Sequence, residues 1–91
     1  MSNNVRDNAD RHRFELDVDG QNAFAVYRRE GDKLLITHTE TPISLRGQGI
    51  ASALVRGLLD IARAQGLKVV PKCPFVAGYL DKHPEYADLR K

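Results

Sequence analysis

One cysteine, Cys73, stands in 91 residues, so an internal disulfide is impossible and a cysteine-rich zinc site is excluded. No two of the three histidines stand at a metal-ligand spacing, so no metal is expected. Excess charge is scarce as well. The formal net charge is +2, too small to argue for nucleic acid, although a weakly basic surface suits a polyanionic small molecule. No apolar run is long enough to cross a membrane, and the N-terminus lacks the pattern of a signal peptide. The expectation is a cytoplasmic protein without membrane or nucleic-acid partners. No internal repeat is visible, and the length holds one small domain with a modest core.

The first twelve residues are polar and unpatterned and read as a disordered lead-in. The domain is expected over residues 13–91. Phe14, Leu16 and Val18 alternate with Glu15 and Asp17, the mark of a strand with one buried face. Asp19-Gly20 is a hairpin turn signal. Ala23, Ala25 and Tyr27 alternate with Phe24, Val26 and Arg28 in a second strand, and residues 33–41 make a β-branched third. Pro42 ends that strand because it cannot donate to a ladder. Residues 48–65 carry Ile50, Leu54, Leu58, Ile61 and Ala62 on one helical stripe, and Gly66 closes the helix. A short strand over residues 67–71 completes a βαβ unit with parallel strands. Pro74 and Pro84 each suit the first position of a further helix.

Between the third strand and the long helix lies Leu45-Arg46-Gly47-Gln48-Gly49-Ile50-Ala51-Ser52. Two glycines allow tight turns and close backbone approach. The first amides of a helix lack partners within it and carry partial positive charge. With Arg46 beside them, they suit a phosphate or pyrophosphate. A nucleoside-triphosphate loop would need a Lys-Ser/Thr ending, which is absent. A dinucleotide fingerprint would need Gly or Ala where Ser52 stands, and an acidic residue where Lys68, Val69 and Val70 stand.

Residues 46–51 resemble the Arg/Gln-x-x-Gly-x-Gly/Ala signature of the GNAT-type acetyltransferases. Together with the meander, Thr41-Pro42, Val70-Pro71-Lys72-Cys73-Pro74-Phe75 and His83-Pro84-Glu85-Tyr86, the chain resembles the compact, single-domain GNAT-like N-acetyltransferases over nearly its whole length after Arg13. The resemblance implies an α/β fold with a mixed, mostly antiparallel sheet, one long helix after the phosphate-binding loop, and short C-terminal helices. It implies coenzyme A and acetyl-coenzyme A as cofactor, with an unidentified amine as acceptor. Arg46, Gly47, Gln48, Gly49, Ile50, Ala51 and Ser52 would hold the pyrophosphate, and Thr41 and Ile43 would meet the pantetheine arm. Larger family members carry a helical pair after their first strand. Here Asp19-Gly20 joins two strands directly, so a non-catalytic coenzyme A-binding module is the alternative reading.

Three residues are candidates for chemistry. Cys73 precedes Pro74 and follows Lys72, a setting that stabilises thiolate. It is read either as a nucleophile that carries the acetyl group or as a small packing residue. In the family a carboxylate on the strand before the loop often deprotonates the amine, a role that falls to Glu40. His38 shares the face of Glu40 and is a candidate proton relay. His83 reads as a cap, and Tyr79 stands near a tyrosine that protonates the leaving thiolate in larger members, without a register that aligns it fully. A monomer or weak dimer is expected, because a small sheet leaves an edge that can pair.

Overall fold

The computed structural model describes residues 4–91. Five strands form one sheet in the order of the chain: β1 (Arg6–Asn8), β2 (Arg13–Val18), β3 (Gln21–Glu30), β4 (Lys33–Glu40) and β5 (Lys68–Pro71). All neighbouring pairs are antiparallel except β4 and β5, which run parallel. Helix α1 (Ile50–Ala64) makes the crossover between those two, and α2 (Pro74–Lys82) follows β5. The Pro84 segment is a 3-10 turn, Pro84–Leu89, rather than a full helix. The mixed, mostly antiparallel sheet of the expected GNAT type is present.

The expected lead-in needs correction over residues 4–12. Arg6–Asn8 pairs with Arg13–Glu15 as an edge strand, and a 3-10 turn at Ala9–Arg11 joins the two. Side chains supply what the polar sequence concealed. The Tyr27 hydroxyl donates to Asp7 at 2.6 Å, and Arg6 donates to Glu15 at 2.7 Å and to Asp17. Val5 is buried in the core. The rest of the expected lead-in, residues 1–3, lies outside the described residues.

The turns follow their sequences. Asp19 and Gly20 both have positive φ, 51° and 75°, as the mirror-image hairpin turn demands. At the end of α1 the Leu67 amide donates to Ala62 and the Gly66 amide to Arg63, a glycine-centred Schellman close. The helix begins at Ile50 rather than Gln48, because residues 46–49 are turn.

The sheet has one covered face. Phe14, Leu16, Ala23, Ala25, Tyr27, Leu34, Ile36 and Val69 join Leu54, Val55, Leu58, Leu59 and Ala62 of α1 and Val76, Tyr79 and Leu80 of α2 in one core. Each large side chain so buried contributes roughly 1.5–3 kcal/mol relative to exposure. On the other face Arg13, Glu15, Asp17, Asn22, Phe24, Val26, His38 and Glu40 alternate with them. Over that face lie ionic side chains, with Glu15 buried beneath Arg6 and Arg13.

Two irregularities in β4 shape the site. Val26 pairs with His38 and Tyr27 with Ile36, so Thr37 is an extra residue, a β-bulge. And the ladder to β5 ends at Ile36–Pro71. Beyond it the Cys73 amide donates to the Ile36 carbonyl at 2.9 Å while the chain turns into α2. Residues 38–40 are left paired with β3 alone, so β4 and β5 part toward the loop.

Candidate functional site

The loop after β4 arrives through Pro42 and a 3-10 turn at Ile43–Leu45, anchored by Leu45, which is buried, and by a Ser44–Gln21 hydrogen bond of 2.7 Å. Gly47 and Gly49 then have φ of 82° and 74°. A side chain is strained in that left-handed region by roughly 1–2 kcal/mol. At both glycines a Cβ would project into open space. Gly49 caps α1, and no side chain satisfies the first amides of the helix. A groove of about 230 Å³ opens in front of them, lined by Thr41, Leu45, Arg46, Gly47, Gly49, Ile50, Ala51, Ser52 and Phe75. Arg46 donates through Nε to the Thr41 carbonyl at 3.3 Å and makes no ion pair among the described residues, which leaves its terminal nitrogens to meet an anion.

Seven of the nine residues expected around the cofactor therefore line one groove: Thr41, Arg46, Gly47, Gly49, Ile50, Ala51 and Ser52. The Gln48 side chain turns back and donates to the Ser44 carbonyl at 3.3 Å, leaving only its backbone in the loop. Ile43 is 80% exposed and lines a neighbouring groove with Asn22, Phe24, Glu40, Thr41, Pro42 and Arg46. Leu45 and Phe75 also line the first groove, beyond the residues expected there from the sequence. Phe75, 42% exposed at the start of α2, carried one signal, a large apolar residue one place before the buried Val76.

The catalytic candidates are not assembled in one place. Cys73 caps α2 and is 6% exposed. Its sulfur lies 3.6 Å from the Thr39 hydroxyl on the covered face. Burial pushes the thiol up, but the Thr39 hydroxyl and the amides of Val76 and Phe75 outweigh it, and the net direction is down. His38 and Glu40 share a face, but it is the opposite, open one, paired with Val26 and Phe24. Glu40 also stands at the loop end of β4, four residues from Ile36, which is about 13 Å of strand. Tyr79 is buried on the groove side of α2, its ring stacked on His83 at 4.0 Å. His83 in turn contacts Glu85 at 3.2 Å. Among the described residues no cluster of His, Cys, Asp and Glu could hold a metal, and no helix is long and apolar enough to cross a membrane.

This geometry can hold a phosphate group at the start of α1 and an extended, hydrogen-bonding arm along the free edge of β4. Comparison with known proteins identifies relatives of the chain. Protein NATD1 of Xenopus tropicalis is 31% identical over 88 residues, covering 91% of this chain and 81% of its own. Protein NATD1 of Mus musculus is 29% identical over 83 residues, covering 88% and 76%. Among solved structures, the NMR structure of a GCN5-like protein from Staphylococcus aureus, proposed to be an N-acetyltransferase, superposes with a TM-score of 0.73 at 28% identity. That match covers 100% of this chain and 91% of the other. Residues 13–89 match the GCN5-related N-acetyl-transferase family, and the chain belongs to it.

Proposed function

We propose that the chain binds coenzyme A at the start of α1 and transfers the acetyl group of acetyl-coenzyme A to an amine. The observation that carries this reading is the groove itself. Two positive-φ glycines leave open space before the uncapped amides of α1, with Arg46 free to pair beside them. Those donors fit a pyrophosphate. The free edge of residues 37–40 and Thr41 would hold the pantetheine arm by backbone hydrogen bonds. Bound acetyl-coenzyme A supplies an activated thioester. Glu40, exposed and without an ion pair among the described residues, is assigned to take the proton from the acceptor ammonium, through water, with His38 on the same face as a relay. Cys73 is assigned to the wall of the slit that opens where β4 and β5 part, since Thr39 is its hydrogen-bonding side-chain partner.

A second reading, a coenzyme A-binding module without turnover, is favoured by two specific observations. His38 and Glu40 are on the opposite face from Cys73, and the direct Asp19-Gly20 turn leaves no helical pair to form an acceptor pocket. Calorimetric titration with coenzyme A, followed by mass analysis of an amine library incubated with acetyl-coenzyme A, tests both. Binding is expected, and Arg46→Ala should weaken it by about 1–2 kcal/mol, the loss of a charge-assisted hydrogen bond at an exposed site. Binding with no acetylated product supports the module. No binding, or full affinity in Arg46→Ala, removes the phosphate-loop reading.

A further inference from the structure

The slit between β4 and β5 is bounded on the β5 side by Pro71, Lys72 and Cys73. Ile36 and Pro71 form the last rung of the ladder. The Lys72 amide then donates to the Val70 carbonyl at 3.1 Å, and the Cys73 amide to the Ile36 carbonyl at 2.9 Å. The backbone of Lys72 is thus fixed at the head of the slit, while its side chain is exposed. Its ammonium makes no ion pair or hydrogen bond among the described residues.

Side chains along an extended chain alternate between the two faces. Val69 belongs to the covered core, and the Cys73 sulfur meets Thr39 on that same side. Val70 and Lys72 are the alternate positions and belong to the open face. The bulge at Thr37 turns His38 and Glu40 to the open face as well. One side of the slit therefore carries an amine without a partner and two side chains able to take a proton. An external amine has little to hold it there, because the direct Asp19-Gly20 turn leaves no helix over that face. A tethered amine needs no such pocket, since the fold has already removed its freedom to diffuse away.

We propose, on the reading that the chain binds acetyl-coenzyme A, that Lys72 is an internal acceptor and that the protein acetylates itself there. Lysine is charged at neutral pH, so Glu40 first takes a proton from the ammonium through water. The Lys72 nitrogen then attacks the thioester carbonyl carbon. The C–N bond forms as the C–S bond breaks, and coenzyme A leaves as the thiolate and takes a proton from water. The proton held at Glu40 returns to solvent. The products are one N-acetyl-lysine side chain and free coenzyme A. The flexible four-carbon stem of the lysine lets the amine reach into the slit from a fixed backbone.

The test is intact-mass and peptide-mapping analysis of the full chain incubated with acetyl-coenzyme A, with coenzyme A binding followed by calorimetry. Wild type should gain one acetyl group, stable to hydroxylamine as an amide is, that maps to Lys72. Lys82 and Lys91 are exposed as well and control for chemical acetylation in solution. Lys72 should react roughly tenfold faster than either, or more, as a positioned amine does. The rate constant should not change with chain concentration, because the step lies within one chain. Lys72→Arg keeps the charge and should lose the adduct while binding coenzyme A as wild type does. Glu40→Gln should slow labelling of Lys72 roughly 10²- to 10⁴-fold and leave Lys82 and Lys91 unaffected. Binding of coenzyme A without an adduct at Lys72 overturns the proposal and leaves the loop reading intact. Equal labelling of the three lysines overturns it too, as does a rate constant that rises with chain concentration. Absence of coenzyme A binding overturns both.

Discussion

Replacing Glu15 by glutamine tests one of the side-chain interactions that tie the first strand to the sheet. Glu15 is 3% exposed and accepts from Arg13 Nε at 2.5 Å and from Arg6 at 2.7 Å. Charge-assisted hydrogen bonds of this kind are worth roughly 1.5–3 kcal/mol each and neutral ones about 0.5–1.5. Glutamine keeps the shape and one acceptor, so the gross loss over two bonds is about 2 kcal/mol on those figures. Arg6 is half-exposed and keeps Asp17, and Arg13 still stacks on Phe24 at 4.4 Å. Neither guanidinium is stranded, so the net cost is set at about 1–2 kcal/mol rather than the 3–5 of a fully buried pair. For a domain of this size that lowers Tm by roughly 5–15 °C. Burial pushes the Glu15 carboxyl up, but Arg13, Asn8 and Arg6 outweigh it and hold it below its usual value. The stabilisation is therefore complete above the unfolded carboxylate value of about 4.3 and fades as pH falls through the lower folded value. Asp17 and Asp88 are held down in the same sense by Arg6 and Arg63, so acid unfolding of the wild type contains them too. The difference between wild type and Glu15→Gln removes that common part. Thermal or urea unfolding from pH 7 to pH 3 should show a gap that closes below about pH 4. A gap that stays constant to pH 3, or no gap at pH 7, would refute the reasoning.

Two further outcomes bear on the chemistry. Glu40→Gln should slow amine acetylation roughly 10²- to 10⁴-fold with coenzyme A affinity unchanged; a normal rate with an unaltered pH profile would return Glu40 to the solvated surface. For Cys73, thiolate absorbance against pH should give a value below that of an ordinary thiol, and Thr39→Val should raise it by removing the hydroxyl 3.6 Å away. Intact mass after mixing with acetyl-coenzyme A should show no adduct labile to hydroxylamine, and Cys73→Ala should still bind coenzyme A. An added acetyl group labile to hydroxylamine would show that the sulfur accepts acetyl from the cofactor and releases free coenzyme A, and would overturn the assignment of Cys73 to the slit wall.

The amino-acid order alone determined the elements whose causes are local. Asp19-Gly20 names its turn because few residues tolerate two positive φ values. Gly66 ends α1, Pro74 opens α2, and the stripe through Leu54, Leu58 and Ala62 shows which side of α1 is buried. The glycine loop before α1 was legible for the same reason, since its glycines, its arginine and the helix behind it are adjacent in the chain. What the sequence could not show depends on partners far away in it. The first strand looked like a polar tail because its stabilising groups, Glu15, Asp17 and Tyr27, belong to other strands. The face of His38 and Glu40 was likewise undecided. Uninterrupted alternation from Leu34 and Ile36 would have put both on the covered side with Cys73. One extra residue at Thr37, accommodated only because β3 pairs around it, turns them to the open face. Side chains in a strand repeat every second residue, so a single bulge, set by the neighbouring strand, reverses every position that follows it.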